Sequence, residues 1–223
     1  MSSRTGNEIK EEYCKVLGNE FGNFFYEIYS QTVWLFVEWE QYKKLYTKKE
    51  TVEVLNKTAP SYFALQQRIQ WNSIILSIAR LTDNKQAMGY ENLTYLKIPD
   101  YIKDEELKQE IQLEIITLKK EREDIKNLRH KILAHNDLEC ILSEEKKIEI
   151  LNSITLKKTE TVLSQIENIF QKLYGHYFKA HMLFEGTLFK FDAGSLIYWL
   201  KTGLLLEKIR TEQTNHDPKL WDE

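Results

Sequence analysis

The stretch LRHKILAHND, residues 128–137, gathers Arg129, His130, Lys131, His135, Asn136 and Asp137 around a few aliphatic residues. Histidine titrates near neutrality and serves as acid or base, while arginine stays charged and forks onto phosphate oxygens. Spacing decides whether these groups can act together. On a helix turning about 100° per residue, Ile125, Leu128 and Ile132 centre the buried stripe, with Arg129 about 65° to one side and His135 about 55° to the other. The pair is then separated by about 9 Å along the axis and about 120° around it. Arginine reach, local unwinding, or a second protomer would be needed to bring both onto one phosphate. Asn136 is seven residues from Arg129 and shares its side of the helix.

Each group also has a plain reading. His135 suits a helix end, where the C-terminal dipole favours its charge. Arg129 can pair with Glu123, Asp124 or a residue of another helix. His130 and Lys131 fall on the outer face, and Asn136 and Asp137 suit the last residues of the helix. An earlier segment carries Gln66, Gln70, Ser73, Ser77 and Arg80 at alternating steps of four and three. A solvated face normally carries Lys and Glu, so this uncharged polar stripe suggests a face against a polar bundle or dimer surface. Arg80 and Asp83, at i and i+3, are spaced to pair.

The elements that must position these groups read as helices. Apolar residues recur at helical intervals from about 8 to 47, predicting one long helix bent near Gly18 or Gly22. VEVLNKTAP gives a short helix and turn. Thr58 is then placed as N-cap of the next helix, with Pro60 in its first turn. Asp83 to Asn92 reads as a mobile polar loop. DEELKQEIQLEIITLKKEREDIKNLRHKILAH predicts a second long helix ending at the motif. Residues 144–180 give further helix, and Asp192 caps a last one. HMLFEGTLFKF is the place for a short extended segment. Residues 1–210 read as one domain and 211–223 as a polar tail.

Composition agrees. The 223 residues include three prolines and eight glycines, with 42% hydrophobic content, enough for a core and favouring an all-α class. A formal net charge of −3 excludes binding to nucleic acid through bulk positive potential, leaving a local patch. Cys14 and Cys140 are too few for a disulfide framework, which points to the reducing cytoplasm. No apolar run approaches the roughly 20 residues of a membrane span. His176 and His181 stand five apart and no HExxH or CxxC occurs, so neither a metal nor a cofactor is expected; phosphate loops and nucleophile elbows are also missing.

The motif resembles the signature of HEPN domains (higher eukaryotes and prokaryotes nucleotide-binding): an Arg, four to six residues with the first usually polar, then His. Here these are Arg129, His130 and His135. Ahead of them WEQYKKLY, VEVLNKTAPSYF, IILSIARLTD and ENLT stand in the order of the abortive-infection AbiU-type branch, and the resemblance covers about residues 15–200. It implies an antiparallel four-helix bundle with extra helices and a long N-terminal helix. It also implies a homodimer with Arg129 and His135 of both protomers near the interface, cleaving RNA without metal in phage defence or as a toxin. The resemblance makes Asp83, at the end of the earlier helix, the best supporting residue, beside His130, Lys131, Asn136 and Arg80. Since many relatives work on RNA and others only bind, a non-catalytic binding module and a toxin silenced by an antitoxin partner are the alternatives. Possible substrates include tRNA.

Overall fold

The computed structural model describes residues 5–87, 89–134, 137–182, 184 and 192–212. These form eleven α-helices, one small hairpin and two short turns of other helical pitch, the all-α class expected from the sequence. The chain divides into two compact units, Met1–Val37 with Asn72–Glu185, and Glu38–Trp71 with Gly186–Glu223.

The first unit opens on α1 (Gly6–Leu17) and on α2 (Asn19–Tyr46) as far as Val37. Thr5 starts α1 with a capping box: its hydroxyl accepts from the Glu8 amide, and Glu8 accepts from the Thr5 amide. The single helix expected over 8–47 is thus two, broken at Gly18, whose φ of +84° is open to glycine at little steric penalty. Gly22 then lets the helices touch, since a Cβ there would lie 2.5 Å from the Cα of Cys14. Helical periodicity reports the buried face, and both helices bury theirs in one core. Tyr13 sits edge-on to Phe25 at 5.2 Å and to Tyr29 at 5.6 Å.

α4 (Pro60–Leu81) supplies Ile74, Ile75 and Ile78, fully buried, to that core. The loop expected over Asp83–Asn92 contains instead a two-residue hairpin, β1 (Gln86–Ala87) paired antiparallel to β2 (Tyr90–Glu91). A 3₁₀ turn (Tyr95–Lys97) and α5 (Ile98–Tyr101) follow. α6 (Glu105–Glu121), capped by Asp104, packs on α10 (Leu156–Phe178). Gln165 of α10 donates to the Glu114 carbonyl of α6 at 3.2 Å, and Lys172 meets Glu110 at 2.7 Å, which sets their register.

The long helix expected to end at the motif is also divided: α6 stops at Glu121, Arg122 forms a turn, and α7 (Glu123–Leu128) passes into a π turn, Arg129–Leu133. Asp137 is not a helix C-terminal residue. Its carboxylate accepts from the Cys140 amide and opens α8 (Leu138–Leu142), ahead of α9 (Glu144–Asn152).

The second unit packs Leu45, Leu55, Phe63 and Ala193 together, with Tyr46, Ala59, Ile197 and Leu200 against them. α3 (Lys49–Thr58) supplies Leu55, and α11 (Ala193–Glu212) supplies Ala193. Thr58 does not cap the next helix: its hydroxyl turns back to the Val54 and Leu55 carbonyls. Asp192 does cap α11, accepting from the Gly194 and Ser195 amides, and Lys44 holds it at 2.5 Å. α11 includes Thr211 and Glu212, the first residues of the expected tail. Residues 213–223 and most of the expected extended segment, 183 and 185–191, lie outside the described residues. No helix among the described residues is long and apolar enough to cross a membrane.

Candidate functional site at the Arg129 turn

Asp83 follows the last turn of α4 and is held from both sides. Buried Thr82 returns its hydroxyl to the Ile78 carbonyl at 2.8 Å, and buried Thr94 donates to the Leu81 carbonyl at 3.0 Å and that of Asp83 at 2.8 Å. The Asn84 amide donates to Asp83 Oδ1 at 2.9 Å. Two buried threonines therefore fix the backbone of a part-exposed carboxylate.

Arg129 approaches from the other side. Ile125 and Leu128 anchor α7 in the core, and the next turn widens: the Ala134 amide donates to the Arg129 carbonyl at 2.8 Å, five residues back instead of four. The Asp137 amide reaches the Lys131 carbonyl at 3.1 Å. This is the local unwinding that a straight helix lacked. Such π turns are rare and cluster at functional sites because they break side-chain register.

Arg129 Nη1 stands 3.6 Å from Asp83 Oδ2, with the two side chains 26% and 20% exposed. That is an ion pair too long for a hydrogen bond. The same Nη1 lies 3.4 Å from Nε2 of exposed His130. The nearer acids are taken: Lys126 meets Glu123 at 3.3 Å, and Lys158 pairs with Asp124. The predicted Arg80–Asp83 pairing is replaced, since exposed Arg80 donates to Ser77 Oγ at 3.1 Å. Lys131 lines a separate cleft of about 340 Å³ with Asp124, Asn127, Asp137 and Lys146. Of the polar stripe, Gln70 donates to the Glu38 carbonyl at 3.3 Å. His135 and Asn136 lie outside the described residues.

Arg129, Asp83 and His130 are thus brought together, and Arg80 and Lys131 are engaged elsewhere. One functional-looking group was missed by sequence reasoning. Arg122 is 4% exposed, and burial pulls its pKa below the ordinary guanidinium value against the opposing pull of Glu123 and Asp83. It precedes Arg129 by two helical turns, a spacing that places both on one side and was available as a signal.

The arrangement is a guanidinium with a carboxylate companion on a widened turn, and the model of the HEPN family described as AbiU2 matches residues 18–191. The chain belongs to this AbiU2 branch of the HEPN proteins. No curated protein and no solved structure matches it.

Proposed function

We propose that this protein is a metal-independent endoribonuclease of the HEPN type, working as a homodimer in the cytoplasm in abortive infection or as a toxin. The observation that carries the reading is Arg129, part-exposed on a π turn inside the family's motif and balanced by Asp83 without a hydrogen bond. In the proposed reaction a base takes the proton of an RNA 2′-hydroxyl, and that oxygen attacks the adjacent phosphorus. The bond to the 5′-oxygen breaks and an acid protonates the leaving oxygen, giving a cyclic phosphate and a free 5′-hydroxyl. Arg129 stabilises the charge that builds on the phosphorane oxygens. His135 serves as base or acid, and its counterpart is His135 of the second protomer, His130, or water.

Purified protein and His135→Ala are compared on total RNA including tRNA, in EDTA, with new 3′ ends read by end-specific ligation. Cyclic or 2′/3′-phosphate ends made by the wild type and lost in the variant support the reading. Intact RNA with both proteins folded and dimeric sinks it. That result favours a non-catalytic binding module or a toxin silenced by an antitoxin, for which Asp83 already opposing Arg129 is the supporting observation.

A further inference from the structure

Helices α8 and α9 turn charged residues toward α7 and aliphatic residues outward. Asp137, Glu139, Lys146 and Glu149 line the cleft of about 340 Å³ that both helices share with α7, and Cys140 is buried beside them. Leu138, Ile141 and Leu142, at i, i+3 and i+4, occupy the side of α8 away from Cys140, with Leu138 71% and Leu142 77% exposed. On α9, Ile148 and Leu151 stand at i and i+3 on the side away from cleft-lining Lys146, Ile150 and Ser153, and both are exposed. Single exposed leucines are ordinary, but these five side chains leave on the order of 500 Å² of apolar surface open on two adjoining helices, the upper end of what a monomer shows. A standard interface buries about 800 Å² on each partner, somewhat over half of it apolar, so this face supplies the apolar part of one partner's share.

We propose that the outward face of α8 and α9 is the surface through which two copies of this chain pair about a twofold axis. This rests on the homodimeric reading above and gives that dimer its surface. Charge selects a second copy as the occupant. Glu144 and Lys147 lie on the same side of α9 as Ile148 and Leu151, one acid and one base three residues apart. That pattern is its own complement, since across a twofold axis Glu144 of each copy can meet Lys147 of the other. Position agrees, because α8 packs against the π turn. A twofold axis through this face therefore brings both Arg129 turns up against one interface, where a site drawing on two chains needs them.

The test is sedimentation velocity of the full chain over a range of concentration, with circular dichroism and melting curves to check the fold. The variants are Leu138→Glu/Leu142→Glu, Leu138→Ser/Leu142→Ser, Glu144→Lys, Glu144→Lys/Lys147→Glu and, on exposed α11, Trp199→Glu. The wild type should sediment as a dimer. The glutamate pair should weaken that dimer at least about a hundredfold with helix content kept, and the serine pair about tenfold. Glu144→Lys should weaken it about tenfold, and the charge swap should recover to within about threefold of the wild type. Trp199→Glu should dimerise as the wild type does. If the glutamate pair fails to fold, the serine pair decides in its place. Leucine variants that dimerise unchanged, a dimer lost through Trp199→Glu instead, or a swap no better than Glu144→Lys overturns the proposal. A wild type monomeric at every concentration also overturns it and leaves the face to a different chain. Cleavage of RNA is followed in parallel. A dimer that breaks as stated but cleaves nothing removes the ribonuclease reading and leaves the face standing, while a cleaving dimer indifferent to these variants does the reverse.

Discussion

Arg129 meets Asp83 at a separation where the two attract without locking. A part-exposed pair of this kind contributes about 1 kcal/mol or less to stability. Arg129→Lys keeps the charge and removes the planar fork, so cleavage should fall about a hundredfold, as when one transition-state donor is lost, while the melting temperature moves little. Single-turnover rates beside melting curves check this, and a variant cleaving at the wild-type rate removes Arg129 from the chemistry. The opposite balance holds at Thr32 and Tyr95, both fully buried, whose hydroxyls lie 2.7 Å apart. Burial pushes the Tyr95 phenol upward, so it stays neutral at any working pH. Thr32→Val leaves that hydroxyl without its partner, a loss of about 1–3 kcal/mol and several degrees of melting temperature, with cleavage per folded molecule unchanged.

Among the elements, α1 and α2 show how a close backbone approach raises the sensitivity of one position. Gly22→Ala would place its Cβ within 2.5 Å of the Cys14 backbone, so the helices must part; about 1–3 kcal/mol is expected, read as a lower melting temperature. Asp192 makes the start of α11 sensitive to pH. Lys44 first, then the Ser195 and Gly194 amides, hold its carboxyl below the ordinary range. Its contribution is therefore complete at neutral pH and fades as the pH falls through that lowered value. Asp192→Ala should destabilise by about 1–2 kcal/mol at pH 7 and lose that difference in acid, which paired denaturation curves at the two pH values would reveal.

The same elements separate what periodicity conveys from what it does not. Ile111, Leu118, Ile125 and Leu128 announced a buried helical face correctly, because burial selects hydrocarbon at every turn. The same regular spacing hid the breaks at Gly18, Arg122 and Arg129, since a short interruption need not turn the apolar face away from the core. The hairpin after Asp83 was illegible for a different reason: with two residues per strand there is no alternation to see. Contact between Asp83 and Arg129 depends on tertiary packing, and only the family resemblance anticipated it. Arg122 was passed over because a charged residue in a charged segment reads as solvated.

For the whole molecule, a chain of net charge −3 offers no bulk positive potential, so contact with RNA has to be local. RNA affinity should therefore depend weakly on salt, with a slope near that of one to three phosphate contacts, about −0.7 for each on a single strand. A steep slope would mean a broad basic surface and would move the site away from Arg129. If the proposed dimer builds each site from both protomers, mixing Arg129→Ala with His135→Ala should restore up to about a quarter of the activity through hybrid dimers. Inert mixtures that demonstrably exchange subunits would confine each site to one chain.

The π turn has a genetic consequence. Its bond from Ala134 to Arg129 spans one residue more than an ordinary helical bond, so the turn behaves as a one-residue insertion. Loss of a single codon between residues 130 and 133 would return the segment to regular pitch, leave the azimuth of the chain beyond it nearly unchanged, and change which side chains the turn displays beside Arg129. The buried helices before it would be untouched. A lineage could thus alter the proposed site, or restore it, in one mutational step while keeping its scaffold.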